Sequence, residues 1–103
     1  NLSLLLGRSP GPEFLANVES LARSVEGVLG VHDLQAEYIG PDAVHTGMHI
    51  EVRRGLSIEE ADRIAEEVRE RVYQATGCRY CIVHVDAAEP KSAPLPPPQP
   101  SSS

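Results

Sequence analysis

Apolar side chains near the start of the chain recur every three or four residues, which is the period of an amphipathic helix. The stripe consists of Phe14, Val18, Leu21, Ala22 and Val25. It follows the segment Ser9-Pro10-Gly11-Pro12. Proline is tolerated in a first helical turn, because the N–H that it lacks has no intrahelical partner there. The pattern predicts a helix that ends at Gly27.

Two β-type segments follow, at residues 28–39 and 44–53, separated by Gly40-Pro41-Asp42-Ala43. Proline and aspartate between β-forming residues predict a tight turn, and therefore a hairpin. The second strand alternates clearly. One face carries Val44, Thr46, Met48, Ile50 and Val52, and the other carries His45, Gly47, His49, Glu51 and Arg53. This alternation places His49 on the face away from the helices.

A second helix is predicted to start at a capping box, in which Ser57 and Glu60 satisfy each other's backbone donors. Its apolar face comprises Ile58, Ala61, Ile64, Ala65, Val68 and Val72, and Gly77 ends it. A third strand is predicted at residues 78–85. It has apolar residues on both faces, as expected of a central strand.

The predicted order is helix, strand, strand, helix, strand. Two helices on one face of a small mixed sheet form an α+β two-layer sandwich. A further strand at the front would complete a ferredoxin-like βαββαβ fold. Residues 2–6 could supply that strand, but the segment is short. We therefore expect an open ferredoxin-like sandwich that lacks it.

Composition bounds the folded part and its partners. Residues 89–103 are rich in proline and serine and cannot build a core, so we expect a disordered tail after a folded unit at residues 9–88. The net charge is −6, from 15 acidic and 9 basic residues. This balance argues against nucleic-acid binding, which needs a basic surface. A unit of about 80 residues is marginally stable alone, so a metal or a second subunit would help it.

Histidine and aspartate at strand positions indicate a metal site. His84 and Asp86 leave the same face of a strand about 7 Å apart, and His49 shares the helix-free face with them. Nitrogen and oxygen ligands of this kind suit Zn²⁺ or a similar divalent ion. The alternative is that each histidine is a half-exposed polar residue on the solvated side of the sheet.

The remaining histidines and the cysteines are less informative. Strict alternation groups His32 with Leu34 and Ala36 on the core side, so it can join a metal cluster only at the strand entrance, before regular pairing begins. His45 lies next to the turn and is expected to be exposed. Cys78 and Cys81 favour a buried small residue and a strand-edge thiol over a zinc or redox pair. Neither a catalytic triad nor a phosphate-binding glycine loop is present in the sequence, so we expect no enzyme activity.

Five short motifs occur in an order typical of one family. They are Leu5-Leu6-Gly7-Arg8-Ser9-Pro10, Gly30-Val31-His32-Asp33-Leu34, Met48-His49-Ile50-Glu51-Val52, Ser57-Ile58-Glu59-Glu60-Ala61 and Val83-His84-Val85-Asp86. Together they resemble the C-terminal cytoplasmic domain of the cation diffusion facilitator transporters. The resemblance covers about residues 3–88, which is nearly all of the expected folded part.

This resemblance implies a metallochaperone-like open ferredoxin-like fold that pairs into a V-shaped homodimer at the cytoplasmic face of the cell membrane. Residues 1–8 would then be the linker from a transmembrane region of the same protein. The resemblance also implies divalent-metal binding near the dimer interface. It places the ligands at His32, His49, His84 and Asp86. A further family histidine position in the second helix is occupied here by Asp62, whose carboxylate is a harder ligand.

Three hypotheses remain at this point. The first is a regulatory sensor, in which a bound cation, usually zinc but also manganese, iron, cobalt or cadmium, tightens the dimer and favours export. The second is a dimerisation scaffold of the transporter that needs no metal. The third is a small-molecule regulatory domain on the same layered fold.

Overall fold

The computed structural model describes residues 9–90. The predicted linker, and all but the start of the predicted tail, lie outside these residues. The elements are α1 (Pro12–Arg23), β1 (Gly30–Gly40), β2 (Ala43–Val52), α2 (Ile58–Thr76) and β3 (Tyr80–Ala87). Their order confirms the α-β-β-α-β prediction. Across residues 9–90, neither helix combines the length and the apolar character needed to span a membrane.

The three strands form one sheet in the order β1-β2-β3. β1 and β2 are an antiparallel hairpin, and β3 runs parallel to β2 after the α2 crossover. The prediction of a central third strand is wrong, because in the sheet formed by residues 9–90 β2 occupies the centre and β3 lies at an edge. Its apolar residues on the helix-free face, Tyr80 and Ile82, are accordingly 53% and 49% exposed.

Both helices pack on one face of the sheet. The core joins Val18, Ala22 and Val25 of α1 to Met48, Ile50 and Val52 of β2 and to Ile64, Val68 and Val72 of α2. The burial of every second β2 residue confirms the alternation predicted from the sequence. Within residues 9–90, no helix covers the other face of β2, and this face carries His45, His49 and Glu51.

The helix ends follow their local sequence with one exception. The Oγ of Ser57 accepts a hydrogen bond from the Glu60 N–H at 3.0 Å, and Gly77 ends α2 at φ 76°. α1 ends at Arg23, before the expected stop at Gly27. The Ser24 hydroxyl donates to the carbonyl oxygen of Leu21 at 2.6 Å, so this residue closes the final turn.

Candidate metal centre

Three histidines line up across the helix-free face of the sheet. His32 on β1 pairs with His49 on β2, and His49 pairs with His84 on β3. Their ring centroids are 5.1 Å and 4.7 Å apart, and each pair is stacked. These distances are close to the 4.7–4.9 Å spacing of neighbouring strands. The histidine row is therefore a direct product of strand register.

A second row lies two residues along the sheet from the histidine row. Here Gly30 on β1 pairs with Glu51 on β2, which pairs with Asp86 on β3. The two carboxylates thus point from the same face as the three imidazoles. The row of histidine nitrogens therefore lies next to the row of carboxylate oxygens.

A β-bulge explains why His32 belongs to the histidine row. Between the pairs His32–His49 and Gln35–Gly47, β1 has two residues where β2 has only Met48. The extra residue is Asp33, at φ 54°. A bulge shifts the alternation of a strand by one position. His32 therefore faces the open side, although Leu34 and Ala36 face the core, and the alternation expected from the sequence is wrong at this point.

The side chains of His32, His49 and Asp86 converge. Their nearest ligand atoms all lie within 4.8 Å of one another. The Asp86 Oδ2 is 3.0 Å from the Nδ1 of His49 and 3.3 Å from the Nε2 of His32. A tetrahedral zinc ion with bonds of 2.0–2.1 Å separates its ligand atoms by about 3.3 Å. The donor set and its spacing therefore fit a divalent cation.

Two further carboxylates contact His32. The Asp33 Oδ2 lies 3.2 Å from the Nδ1 of His32, and the Glu51 Oε2 lies 3.8 Å from the Nε2 of the same ring. The Asp33 carboxylate can accept a hydrogen bond from Nδ1, and in the neutral tautomer with its proton there Nε2 is the nitrogen free to bind an ion. Carboxylates commonly orient metal-binding histidines in this way. Sequence reasoning assigned no role to Asp33 or Glu51, although the β2 alternation had placed Glu51 beside His49.

Other predicted ligands lie outside this three-residue group. His84 stacks on His49, and its side chain is exposed. Asp62 is exposed on α2, in the layer on the opposite side of the sheet. His45 is partly buried, instead of exposed as expected, and lines a surface depression with His49 and His84. The roles of His84 and Asp62 as ligands remain predictions.

Both cysteines are free thiols on the core side of the sheet. Cys78 is buried, and its Sγ lies 3.3 Å from the Val44 carbonyl oxygen. Burial, together with the neighbouring Cys78, raises the pKa of the Cys81 thiol to about 11. Thiolates are the form that binds metals, so Cys81 is protonated and a poor ligand at neutral pH.

The structure is an α+β domain with a group of candidate metal ligands on one face of its sheet, and comparisons with known proteins identify its family. The chain belongs to the family of the cytoplasmic domain of cation efflux proteins, whose model matches residues 10–88. It is 35% identical, over 89 residues, to an uncharacterized transporter of Methanocaldococcus jannaschii. That match covers 86% of this chain and 31% of the transporter, so the chain spans about a third of its length.

Solved structures of the domain named MamM CTD share the fold. One variant superposes with a TM-score of 0.70 at 28% identity, covering 75% of this chain and 94% of that domain. A cadmium form of another variant has the same TM-score and identity, and covers 75% of this chain and 96% of that domain. A copper form of a third variant gives the same values. These matches confirm the ferredoxin-like fold and the resemblance to cation diffusion facilitator domains.

Proposed function

We propose that this domain is the regulatory metal sensor of a divalent-cation efflux transporter and that zinc is its usual ion. The observation that carries the proposal is the convergence of His32, His49 and Asp86 within 4.8 Å on the open face of the sheet. The cadmium, copper and nickel forms of the related MamM domain support a divalent ion as the ligand of this fold.

The contacts within the group support one ligand atom for each histidine. His32 would bind through Nε2, because its Nδ1 faces Asp33. His49 would bind through Nδ1, which faces Asp86. Two imidazole nitrogens and a carboxylate accept zinc, and they also accept manganese, iron, cobalt or cadmium. The ion would supply positive charge on a face that carries the carboxylates of Asp33, Glu51 and Asp86.

This charge is the basis of the proposed regulation. The domain would form a homodimer at the cytoplasmic face of the membrane, below the transmembrane part of the same protein. Without metal, the acidic faces of the two protomers repel each other. Binding shifts the dimer toward a tighter state only if that state has the higher metal affinity. His84 and Asp62 are the residues that we expect to add ligands near the interface, since both are exposed.

Calorimetric titration with zinc tests the metal site. We expect His49→Ala to lower zinc affinity by at least about a hundredfold, because it removes a ligand from a three-residue group. His45→Ala is the matched control, since His45 lies on the same face of the same strand but outside the group. Equal affinity and stoichiometry in the wild type and His49→Ala would contradict the proposal.

A metal-independent dimerisation scaffold is the alternative function. The observation in its favour is the exposure of Tyr80 and Ile82 on the open face, where a second copy could cover them. Small-angle scattering in zinc and in EDTA separates the two functions. A sensor changes its dimer shape when zinc is removed, whereas a scaffold keeps one shape in both solutions.

A further inference from the structure

Glu51 occupies the centre of the carboxylate row, between its strand partners Gly30 and Asp86. Its neighbour two residues earlier on the same face is His49. The Oε2 of Glu51 lies 3.8 Å from the Nε2 of His32, the same nitrogen that faces Asp86 at 3.3 Å. Glu51 is therefore the second carboxylate directed at the nitrogen that the proposed site uses.

Gly30 accounts for the position of this carboxylate. A Cβ at residue 30 would lie 2.6 Å from the Oε1 of Glu51. The Glu51 side chain thus lies across β1 through space that any other residue would fill. Because Gly30 and His32 are two residues apart on the open face, the absence of a side chain at Gly30 leaves room beside the His32 ring.

We infer that Glu51 is a fourth metal ligand and that Gly30 positions it. The inference rests on the proposed metal site. A tetrahedral ion places its ligand atoms about 3.3 Å apart. The Glu51 carboxylate lies 3.8 Å from His32 but outside the group whose ligand atoms are all within 4.8 Å of one another, so its flexible side chain has to turn toward that group when the ion binds. Two imidazoles and two carboxylates then form a complete tetrahedral set within one protomer. Each protomer holds its ion before the partner contributes any residue.

Zinc titration of Glu51→Gln tests the ligand, because glutamine keeps the size of the side chain and removes its charge. Glu37→Gln is the matched control, since Glu37 is an exposed carboxylate of β1, paired with His45 on the open face. We expect Glu51→Gln to weaken zinc binding at least tenfold and Glu37→Gln to change it by less than about threefold. Thermal unfolding in EDTA establishes that both variants are folded.

The variant Gly30→Ala tests the positioning role. Its methyl group displaces the end of a flexible side chain, so the fold is retained while the Glu51 carboxylate moves. We expect Gly30→Ala to weaken zinc binding in the wild-type background and to have no further effect in the Glu51→Gln background. This lack of additivity would show that Gly30 acts through Glu51.

The outcomes distinguish the two proposals. If His49→Ala abolishes zinc binding while Glu51→Gln matches Glu37→Gln, Glu51 is no ligand and the three-residue site stands. If the wild type does not bind zinc, or if His49→Ala binds as the wild type does, both proposals are wrong. Additive effects of Gly30→Ala and Glu51→Gln would overturn the positioning role.

Discussion

The two faces of β2 are built from neighbouring residues but follow different rules. On the helix-covered face, Met48 and Ile50 are 1% and 0% exposed, and they fill volume between the sheet and the helices. On the open face, the side chain of His49 is 35% exposed, and a single nitrogen is held 3.0 Å from Asp86. The covered face needs apolar side chains of suitable size. The open face needs particular atoms at particular distances.

The largest expected effect is on the free energy of unfolding, and it should differ sharply between the adjacent residues Ile50 and His49. Ile50→Ala should lower the free energy of unfolding by about 3 kcal/mol, because it leaves a cavity in a fully buried position. His49→Ala should lower it by less than about 1 kcal/mol in EDTA. Urea unfolding of both variants in EDTA measures the difference. A comparable loss in His49→Ala would mean that the open face also holds the fold together.

Zinc should stabilise the protein through the open face alone. At free zinc one hundred times the dissociation constant, the free energy of unfolding should rise by about 2.7 kcal/mol if the unfolded chain does not bind. The increase should disappear in His49→Ala and persist in His45→Ala. Thermal unfolding over a zinc series measures it. An increase retained in His49→Ala would place the ion elsewhere.

Asp33 allows its backbone and its carboxylate to be tested separately. Asp33→Val should cost about 1–2 kcal/mol of stability, because a β-branched residue is strained at φ 54°. Asp33→Gly should avoid that strain. Both variants remove the carboxylate that faces the Nδ1 of His32 and should weaken zinc binding about tenfold. Denaturant unfolding and zinc titration of the pair give the two effects, and unchanged affinity in both would remove the orienting role.

The smallest expected effect is on the alkylation rate of Cys81, which lies on the helix-covered face of the sheet. Because burial raises the pKa of Cys81 to about 11, its thiolate is scarce at pH 8 in the folded protein. Alkylation by iodoacetamide should be slower than in the urea-unfolded chain and should accelerate as the pH approaches 11. Trypsin cleaves after Arg79, between the two cysteines, so mass spectrometry of the peptides follows Cys81 separately in the wild-type chain. Equal rates in the folded and unfolded chains at pH 8 would contradict the shift.

The sequence could predict the covered face and only part of the open face. The period of the apolar residues is sufficient to define the helices and the alternation of β2, and that alternation placed His49 correctly. His32 was ambiguous, because a bulge depends on one residue, Asp33, whose type does not reveal a left-handed backbone. The edge position of β3 was missed, since exposed Tyr80 and Ile82 resemble buried residues in sequence.

Glu51 and Gly30 show why distances within the site were out of reach. Both residues are visible in the alternation, but their pairing depends on the register between β1 and β2. Register is set by the turn and by the bulge together, and the bulge has no clear sequence signal. The one indication in the sequence was Gly30, which lies two residues before His32 and leaves space beside it on the same face.

The parallel pairing of β2 with β3 has a consequence for folding rates. His49 and Asp86 are 37 positions apart and meet only after the α2 crossover is complete. Because contacts between distant residues carry a large loop-closure cost, we expect this one to be largely absent from the folding transition state. A bound ion would therefore prolong the lifetime of the native state without accelerating its formation. Zinc would thus lower the unfolding rate constant and leave the folding rate constant nearly unchanged.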